Sequence, residues 1–258
     1  MSILKFKITL ALLVFILGIH SCKNDNTKEE QKELLIYCGI TMIQPMTEIK
    51  TIIEEQENCK IQITKDGSGN LLKAIEMIGV GDLYLPGSEA YISSAFSKNL
   101  ISDTAYVGQN RLVMMVQKGN PLKINSNLEN LLNKEFYIII GNPNTGSIGK
   151  ATKKALQQKG ILKEVEQNAI KYTTDSKDLT LALINKEADL VINWYATYTW
   201  NNHSEYIDII EIDEKYSQKR KLILAILKSS KHPDIAKNIL ELAHSERGQE
   251  IFKKYGLY

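Results

Sequence analysis

The sequence predicts an α/β protein built from two similar lobes. From Leu34 onward, short apolar strands alternate with segments whose apolar residues recur at helical spacing. Strands separated by helices of this length imply parallel βαβ units. Two such groups follow one another, and one long apolar segment at residues 110–121 joins them. With 258 residues, 43% of them hydrophobic and 24% charged, the chain has the composition of a globular protein of one or two domains.

Each element is assigned from its local pattern of apolar residues and from the residues that end it. The first group has strands at residues 34–40, 60–64 and 82–85, and helices marked by Met46 to Ile53, by Leu71 to Ile78 and by residues 89–100. The second group has a helix at 127–133, a strand at 135–141, helices at 149–160 and 176–186, and strands at 188–194 and 221–228, with a closing helix at 233–256.

The N-terminal segment is typical of an export signal. MSILKFK carries two lysines, and ITLALLVFILGI is an apolar run of 12 residues closed by HSC. At ~1.5 Å per residue this run reaches only ~18 Å, short of the ~30 Å core of a bilayer, so we expect a signal peptide at residues 1–21. The residues before Cys22 resemble a bacterial lipobox, which implies that Cys22 is lipidated. The alternative is a chance cysteine after an ordinary secretory signal.

The residues after Cys22 predict a solvated tether. Residues 23–33 are all polar, so residues 22–33 comprise the lipidated cysteine and its tether, and the folded part starts near Leu34. Removing residues 1–21 removes two of the 32 basic residues and leaves 30, which equals the number of acidic residues. A balanced charge gives no reason to expect nucleic-acid binding.

The two other cysteines are expected to be buried thiols. Cys38 ends the first strand and Cys59 begins the second, so parallel strands place them at opposite ends. Four residues at ~3.3 Å each separate them by more than ~13 Å, whereas a disulfide requires Cα atoms within ~7 Å.

Glycine-containing turns raise the question of nucleotide binding. DGSGNLL, at residues 66–72, matches two of the three glycines of a dinucleotide fingerprint, but Leu72 stands at the third. NTGSIGKAT lacks the first glycine of a P-loop at Asn144, and Ala151 replaces the residue that would hold magnesium. Both nucleotide interpretations therefore fail.

Catalytic and metal motifs are also missing from the sequence. There is no G-x-S-x-G, H-E-x-x-H or C-x-x-C, and His203, His232 and His244 follow no ligand spacing. We expect no enzyme activity, no metal site and no cofactor, although a carboxylate pair assembled by the fold stays open.

A different feature recurs at three junctions from strand to helix: glycine with a small or hydroxyl residue. The junctions are CGIT at residues 38–41, DGSGN at 66–70 and NTGSIG at 144–149. Each places free backbone N–H groups at a helix start, where the helix dipole favours an anion. One such junction is only a helix cap. Three at strand ends predict donors that converge on one anion in the crevice between the lobes.

Seven segments, in this order, resemble the periplasmic molybdate-type solute-binding proteins of ABC importers. They are YCGITMIQPMTEI, GSGNLLKAIE, GDLYLPGSEAYI, NRLVMMVQKGNP, IIIGNPNTGSIGKATKKAL, ADLVINWYAT and KHPDIAKNILELAHSERGQEIFKKYG. The resemblance covers residues 34–258. It implies a type II periplasmic-binding-protein-like fold, in which two Rossmann-like lobes with mixed sheets are joined by a two-strand hinge. The lobes close over a tetrahedral oxyanion, held by neutral hydrogen bonds without metal or cofactor.

The resemblance also implies an organisation and partners. Lobe I comprises residues 34–114 and 226–258, and lobe II comprises residues 115–225. The oxyanion, molybdate or tungstate, is passed to an ABC permease by a monomer anchored to the bilayer, in the periplasm or cell envelope. Alternatives are binding of phosphate, sulfate or a small organic anion, and a sensor or adhesion lipoprotein that uses the same fold.

Ligand contacts are carried over by position. Thr41 and Ser68 come from the first lobe, and Ser147, the Ile148 N–H and Trp194 come from the second. Trp194 stands where the family has tyrosine, and Ser147 where it usually has proline.

Three further positions belong to the predicted site. Tyr195 adjoins Trp194, and another backbone donor lies near Ser176 or Lys177. The Asp66 carboxylate would repel a fully ionised dianion but could accept the proton of a hydrogen phosphate. Its alternative role is that of a solvent-facing turn residue. Residues 144–146 lack the acidic residue of the octahedral tungstate binders, which favours tetrahedral binding.

Overall fold

The computed structural model describes residues 31–258, which contain two five-stranded mixed sheets with helices packed against them. The predicted signal peptide at residues 1–21 and Cys22 lie outside the described residues, as does most of the predicted tether. The first strand begins at Lys32, two residues before the expected start of the folded part.

The first lobe is defined by one sheet and five helices. Its strands are β1 Lys32–Gly39, β2 Cys59–Asp66, β3 Leu83–Leu85, β4 Ile101–Asn110 and β10 Arg220–Leu227. Its helices are α1 Ile43–Glu57, α2 Ser68–Ile78, α3 Glu89–Ser97, α7 Pro233–His244 and α8 Glu246–Lys254.

The second lobe is defined by the other sheet and three helices. Its strands are β5 Leu112–Gln117, β6 Ile138–Gly141, β7 Lys171–Thr173, β8 Leu190–Trp194 and β9 Ile207–Glu211. Its helices are α4 Ser147–Lys159, α5 Leu162–Asn168 and α6 Ser176–Ile184. Short 3₁₀ helices lie at Ile40–Met42, Leu128–Leu132, Tyr195–Thr199 and His203–Glu205.

The two sheets share one pattern of strands. The order is β2-β1-β3-β10-β4 in the first and β7-β6-β8-β5-β9 in the second. The first three strands of each order are parallel, and the fourth is antiparallel to both of its neighbours. The predicted fold class, two α/β lobes with mixed sheets, is therefore confirmed.

The chain passes between the sheets twice. β4 ends at Asn110 and β5 begins at Leu112, so only Arg111 separates them, and residues 212–219 connect β9 to β10. The predicted lobe boundaries, after residue 114 and before residue 226, fall inside β5 and β10, respectively.

Burial explains why the predicted strands were visible in the sequence. Alternate residues of β1 pack on opposite faces of the first sheet: Leu34, Ile36 and Cys38 join one apolar cluster and Tyr37 joins another. In the second lobe, β5 is buried along Leu112–Val116, as expected for a strand covered on both faces.

The cysteine prediction is confirmed. In the parallel pairing of β1 with β2, Cys38 lies opposite Lys65 and Cys59 lies opposite Lys32, so the two thiols are at opposite ends. Both cysteines are free and buried. Burial raises the pKa of the Cys38 thiol far above its usual range.

The single closing helix predicted at residues 233–256 is wrong in one respect, because it is two helices. α7 ends at His244 and α8 begins at Glu246. The Ser245 hydroxyl accepts a hydrogen bond of 3.2 Å from the Gly248 N–H and so caps α8. None of the helices within residues 31–258 is both long enough and apolar enough to span a bilayer.

Asp82 ties three parts of the first lobe together, and this gives a stability prediction. Its buried carboxylate accepts from the Leu35 N–H at 2.7 Å, the Ser230 hydroxyl at 2.7 Å and the Lys231 N–H at 3.2 Å.

We expect Asp82→Ala to lower the free energy of unfolding by about 3 kcal/mol, because three donors lose a charged acceptor. Urea denaturation measures this loss.

The matched control is Glu55→Ala, which removes an exposed carboxylate from α1. Its effect should stay within about 0.5 kcal/mol. Equal losses for the two variants would contradict the role given to Asp82.

Candidate functional site

Six junctions meet in one place between the two lobes. In the first lobe they follow β1, β2 and β3, and in the second they follow β6 and β7 and include the end of β8. All six strands are the parallel ones of their sheets, so their carboxyl ends lie at one edge of each sheet. Ligands of open α/β sheets bind at such an edge.

The junctions enclose a small cavity. Thirteen residues line it: Gly39, Ile40, Thr41, Asp66, Gly67, Ser68, Gly87, Gly146, Ser147, Ile148, Asp175, Ser176 and Trp194. Its volume is about 10 Å³, which is close to the ~10–15 Å³ that one water molecule needs. The lobes are therefore nearly closed on each other.

Side chains from both lobes meet at the centre of this cavity. The Ser68 hydroxyl accepts a 2.9 Å hydrogen bond from the Gly87 N–H within the first lobe. From the second lobe, the Trp194 Nε1–H donates to the Ser147 hydroxyl at 3.3 Å. A Cβ added at Gly87 would lie 2.2 Å from Ser147 Oγ and 3.6 Å from Ser68 Oγ. Both hydroxyls therefore lie beside Gly87, one from each lobe.

The glycines of the Ser68 turn allow the backbones of the two lobes to come into contact. The N–H groups of Gly69 and Asn70 donate to the Thr145 carbonyl of the second lobe at 2.9 and 3.3 Å. A Cβ at Gly67 would lie only 2.5 Å from that same oxygen. We expected these donors to face a ligand, but in this closed arrangement the opposite lobe occupies them.

The start of α4 keeps its donors. Within residues 31–258 the backbone N–H groups of Ser147 and Ile148 have no acceptor outside the helix, and both residues line the cavity. The first N–H groups of a helix have no intrahelical partner. The dipole of α4 therefore directs partial positive charge into the cavity.

The start of α6 is organised by two neighbouring side chains. Asp175 is its N-cap and accepts from the N–H groups of Lys177 and Asp178, so the Lys177 N–H is already engaged. Ser176 lines the cavity, and the buried Asn193 amide donates to its carbonyl at 2.9 Å. Asn193 also accepts from the Trp194 N–H, which fixes the position of Trp194.

Two carboxylates from opposite lobes line the cavity. Asp66 Oδ1 accepts from the Gly67 N–H at 2.6 Å and from the Asn70 amide at 3.1 Å. Burial raises the pKa of Asp175, hydrogen bonds from the backbone partly offset this, and the charge of Asp178 and, more weakly, that of Asp66 add to the rise. No Lys or Arg is among the lining residues. Negative charge at this site is thus not offset by a cationic side chain in its wall.

The predicted site residues mostly come together. Thr41, Ser68, Asp66, Ser147, Ile148, Ser176 and Trp194 all line the cavity. Tyr195 is not among the residues that line it. Its ring lies against Tyr258 and the guanidinium of Arg111, with centroid distances of 6.0 and 4.4 Å.

Sequence reasoning missed two participants that carry a readable signal. Gly87 belongs to LPGSEA, a fourth glycine-and-serine junction of the same kind as the three used for the prediction. Asp175 belongs to TTDSKD, where an aspartate precedes a helix start as a cap.

A further contact joins the lobes beside the cavity. The Lys150 ammonium of α4 lies 4.0 Å from the centroid of the Tyr91 ring of α3. Burial raises the pKa of Tyr91 to about 12, so the phenol stays neutral and the ring remains available to the cation.

Comparison with protein families decides the class of this molecule. Residues 34–258 match the family described as bacterial extracellular solute-binding protein. The chain belongs to this family of solute-binding proteins.

One relative of this solute-binding protein matches it over nearly the whole length of both sequences, and two solved structures share its fold. A Bacillus subtilis protein, YvgL, named as an ABC transporter substrate-binding lipoprotein, is 24% identical over 98% of this chain and 97% of its own length. The periplasmic molybdate-binding protein of Azotobacter vinelandii is 14% identical, with a TM-score of 0.74 over 87% of this chain and 98% of that one. A periplasmic binding protein of Actinobacillus pleuropneumoniae with fructose-6-phosphate bound is 19% identical, with a TM-score of 0.75 over 87% and 83%.

The contact of Gly67 with Thr145 gives a prediction about closure. In Gly67→Ala, the new Cβ must move from 2.5 Å to at least about 3.4 Å from the Thr145 oxygen, so the lobes separate. We expect amide hydrogen exchange at Gly69 and Asn70 to accelerate about tenfold or more as their acceptor withdraws.

The control is Lys73→Ala, on the exposed face of the same helix, which should leave both exchange rates unchanged. Slow exchange at both amides in Gly67→Ala would mean that the inter-lobe hydrogen bonds survive and that glycine is not required there.

Proposed function

We propose that this solute-binding protein captures a tetrahedral oxyanion between its lobes and delivers it to the permease of an ABC importer. The observation that carries the proposal is the convergence of neutral donors from both lobes on one cavity. Thr41 and Ser68 come from the first lobe, and Ser147, the Ile148 N–H and Trp194 come from the second. In the closed arrangement the Thr41 hydroxyl donates to Met42 Sδ at 2.8 Å and the Trp194 indole N–H donates to Ser147, so a ligand replaces these acceptors. Such donors and helix starts suit an anion.

Closure of the two lobes over the ligand couples ligand binding to transport. A ligand that contacts both lobes stabilises the closed state, and a permease can then distinguish loaded from empty protein. Because the present cavity has room for about one water, an oxyanion requires a slightly wider cleft or a rotated Ser147 hydroxyl.

Molybdate and tungstate are the first candidates. The Azotobacter vinelandii protein of the same fold binds molybdate, and the Bacillus subtilis relative is named as a lipoprotein of an ABC transporter. With these relatives we propose a location in the cell envelope, anchorage through a lipid on Cys22, and a hinge between lobes I and II.

Phosphate is the second candidate, and the carboxylates of Asp66 and Asp175 favour it. A fully ionised dianion meets repulsion from both groups, whereas a hydrogen phosphate donates its proton to a carboxylate. The sugar phosphate bound by the Actinobacillus pleuropneumoniae protein supports this class of ligand.

Removal of one hydroxyl from each lobe tests the oxyanion proposal. We expect Ser68→Ala and Ser147→Ala each to weaken the best of molybdate, tungstate, sulfate and phosphate by about 10- to 100-fold, the range for a hydrogen bond to a charged group. Isothermal titration calorimetry measures the four affinities.

Ser93→Ala, which removes an exposed hydroxyl from α3, is the control and should bind as the unmodified chain does. Absence of heat with all four anions would sink the oxyanion proposal and favour a sensor or adhesion lipoprotein of the same fold.

Asp66→Asn separates the two candidates by the sign of its effect. Loss of the carboxylate should weaken a hydrogen phosphate by about tenfold, because a charge-assisted acceptor disappears. The same change should strengthen molybdate or tungstate, because a repelling charge disappears. Equal affinities before and after the substitution would place Asp66 among solvent-facing turn residues.

A further inference from the structure

A second cavity lies beside the anion site. Its volume is about 270 Å³, and Ile40 lines both cavities. Lys65 and Lys177 line only the second, although each directly adjoins a residue of the first, Asp66 and Ser176, respectively. The two cavities are therefore neighbours in one inter-lobe cleft.

The walls of the second cavity would suit a carbon skeleton. Ile43 at the start of α1 comes from the first lobe, and Leu181 of α6 and Trp200 come from the second. Trp200 is 8% exposed, and its indole N–H has no hydrogen-bond partner within residues 31–258. The volume is close to the lower end of the ~300–1,000 Å³ range of small-molecule pockets, and a bare oxyanion needs far less.

Two exposed lysines line this cavity from opposite lobes. Lys65 lies near the end of β2, and Lys177 lies in the first turn of α6. Within the described part of the chain, neither ammonium forms an ion pair or a side-chain hydrogen bond. An anionic group between them would bridge the lobes and favour closure.

His203 adds an acceptor to the same wall. Its Nδ1 lies 2.8 Å from the Thr197 carbonyl, and because a carbonyl only accepts, Nδ1 carries the proton. In the neutral ring Nε2 is then an acceptor, which suits a hydroxyl group of a ligand.

We infer that the ligand is an organic phosphate or phosphonate that carries a second anionic group. Its tetrahedral group occupies the anion site, its carbon chain fills the second cavity, and its far end lies between Lys65 and Lys177. The inference rests on the phosphate candidate proposed above and names the class of molecule that this candidate represents.

Three probes that share a phosphorus oxyanion test the inference in the purified chain. Phosphonobutyrate has a carboxylate at its far end, butylphosphonate has an uncharged chain of the same kind, and inorganic phosphate has no chain. We expect phosphonobutyrate to bind about tenfold more tightly than butylphosphonate, and butylphosphonate more tightly than phosphate, in titration calorimetry.

Lysine variants test whether Lys65 and Lys177 cause the preference for phosphonobutyrate over butylphosphonate. Lys65→Ala and Lys177→Ala should each reduce the advantage of phosphonobutyrate by about threefold or more, and leave butylphosphonate within about twofold of its original affinity. Lys73→Ala and Lys154→Ala remove exposed lysines elsewhere in the two lobes and serve as matched controls.

The outcomes separate failure of the inference from failure of the proposed function. Equal binding of all three probes would overturn the inference and leave an inorganic oxyanion as the ligand. Binding of molybdate or tungstate alone would overturn it as well, with the oxyanion proposal intact. Absence of binding by every probe and by all four inorganic anions would overturn both.

Discussion

The need of buried N–H groups for acceptors governs how this molecule closes. Three helix starts, those of α2, α4 and α6, point into one cleft, and the dipole of each presents partial positive charge there. In the closed arrangement the Thr145 carbonyl accepts from two N–H groups of α2, and the Asp175 carboxylate accepts from two of α6. Within residues 31–258, the first N–H groups of the three helices, those of Ser68, Ser147, Ile148 and Ser176, have no such acceptor and stay available to a ligand. Closure and ligand binding therefore draw on the same set of backbone groups, and the glycines beside Ser68 let the lobes come close enough to share them.

Much of the fold was predictable because its central strands are apolar on both faces, and these strands set the topology. The elements that pattern analysis did not reveal are β4, β7, β9 and α5. All three strands lie at the edge of a sheet, where a polar face meets solvent and the apolar alternation is interrupted. The short α5 carries a single fully buried apolar residue, Val165, which is too little for a periodic signal.

The position of the site was predictable because glycine and hydroxyl residues follow the strands that border it. Ser68 and Ser147 were found in this way, although no sequence pattern shows that both lie beside Gly87. Two features have no signal in the sequence. The walls of the second cavity come from segments more than a hundred residues apart. Tyr195 lies next to Trp194 in sequence but against Arg111 in space. The direction of a side chain at the end of a strand depends on the turn that follows, so the side chains of two consecutive residues there can point to different parts of the molecule.

The separation of Cys38 and Cys59 has a consequence for how this protein is made. Extracellular solute-binding proteins mature in a compartment that oxidises accessible thiols. These two thiols lie at opposite ends of paired strands, are buried, and in the case of Cys38 stay protonated. The fold of the two described lobes therefore does not depend on a disulfide between Cys38 and Cys59, and both thiols are shielded from oxidants by the packing around them.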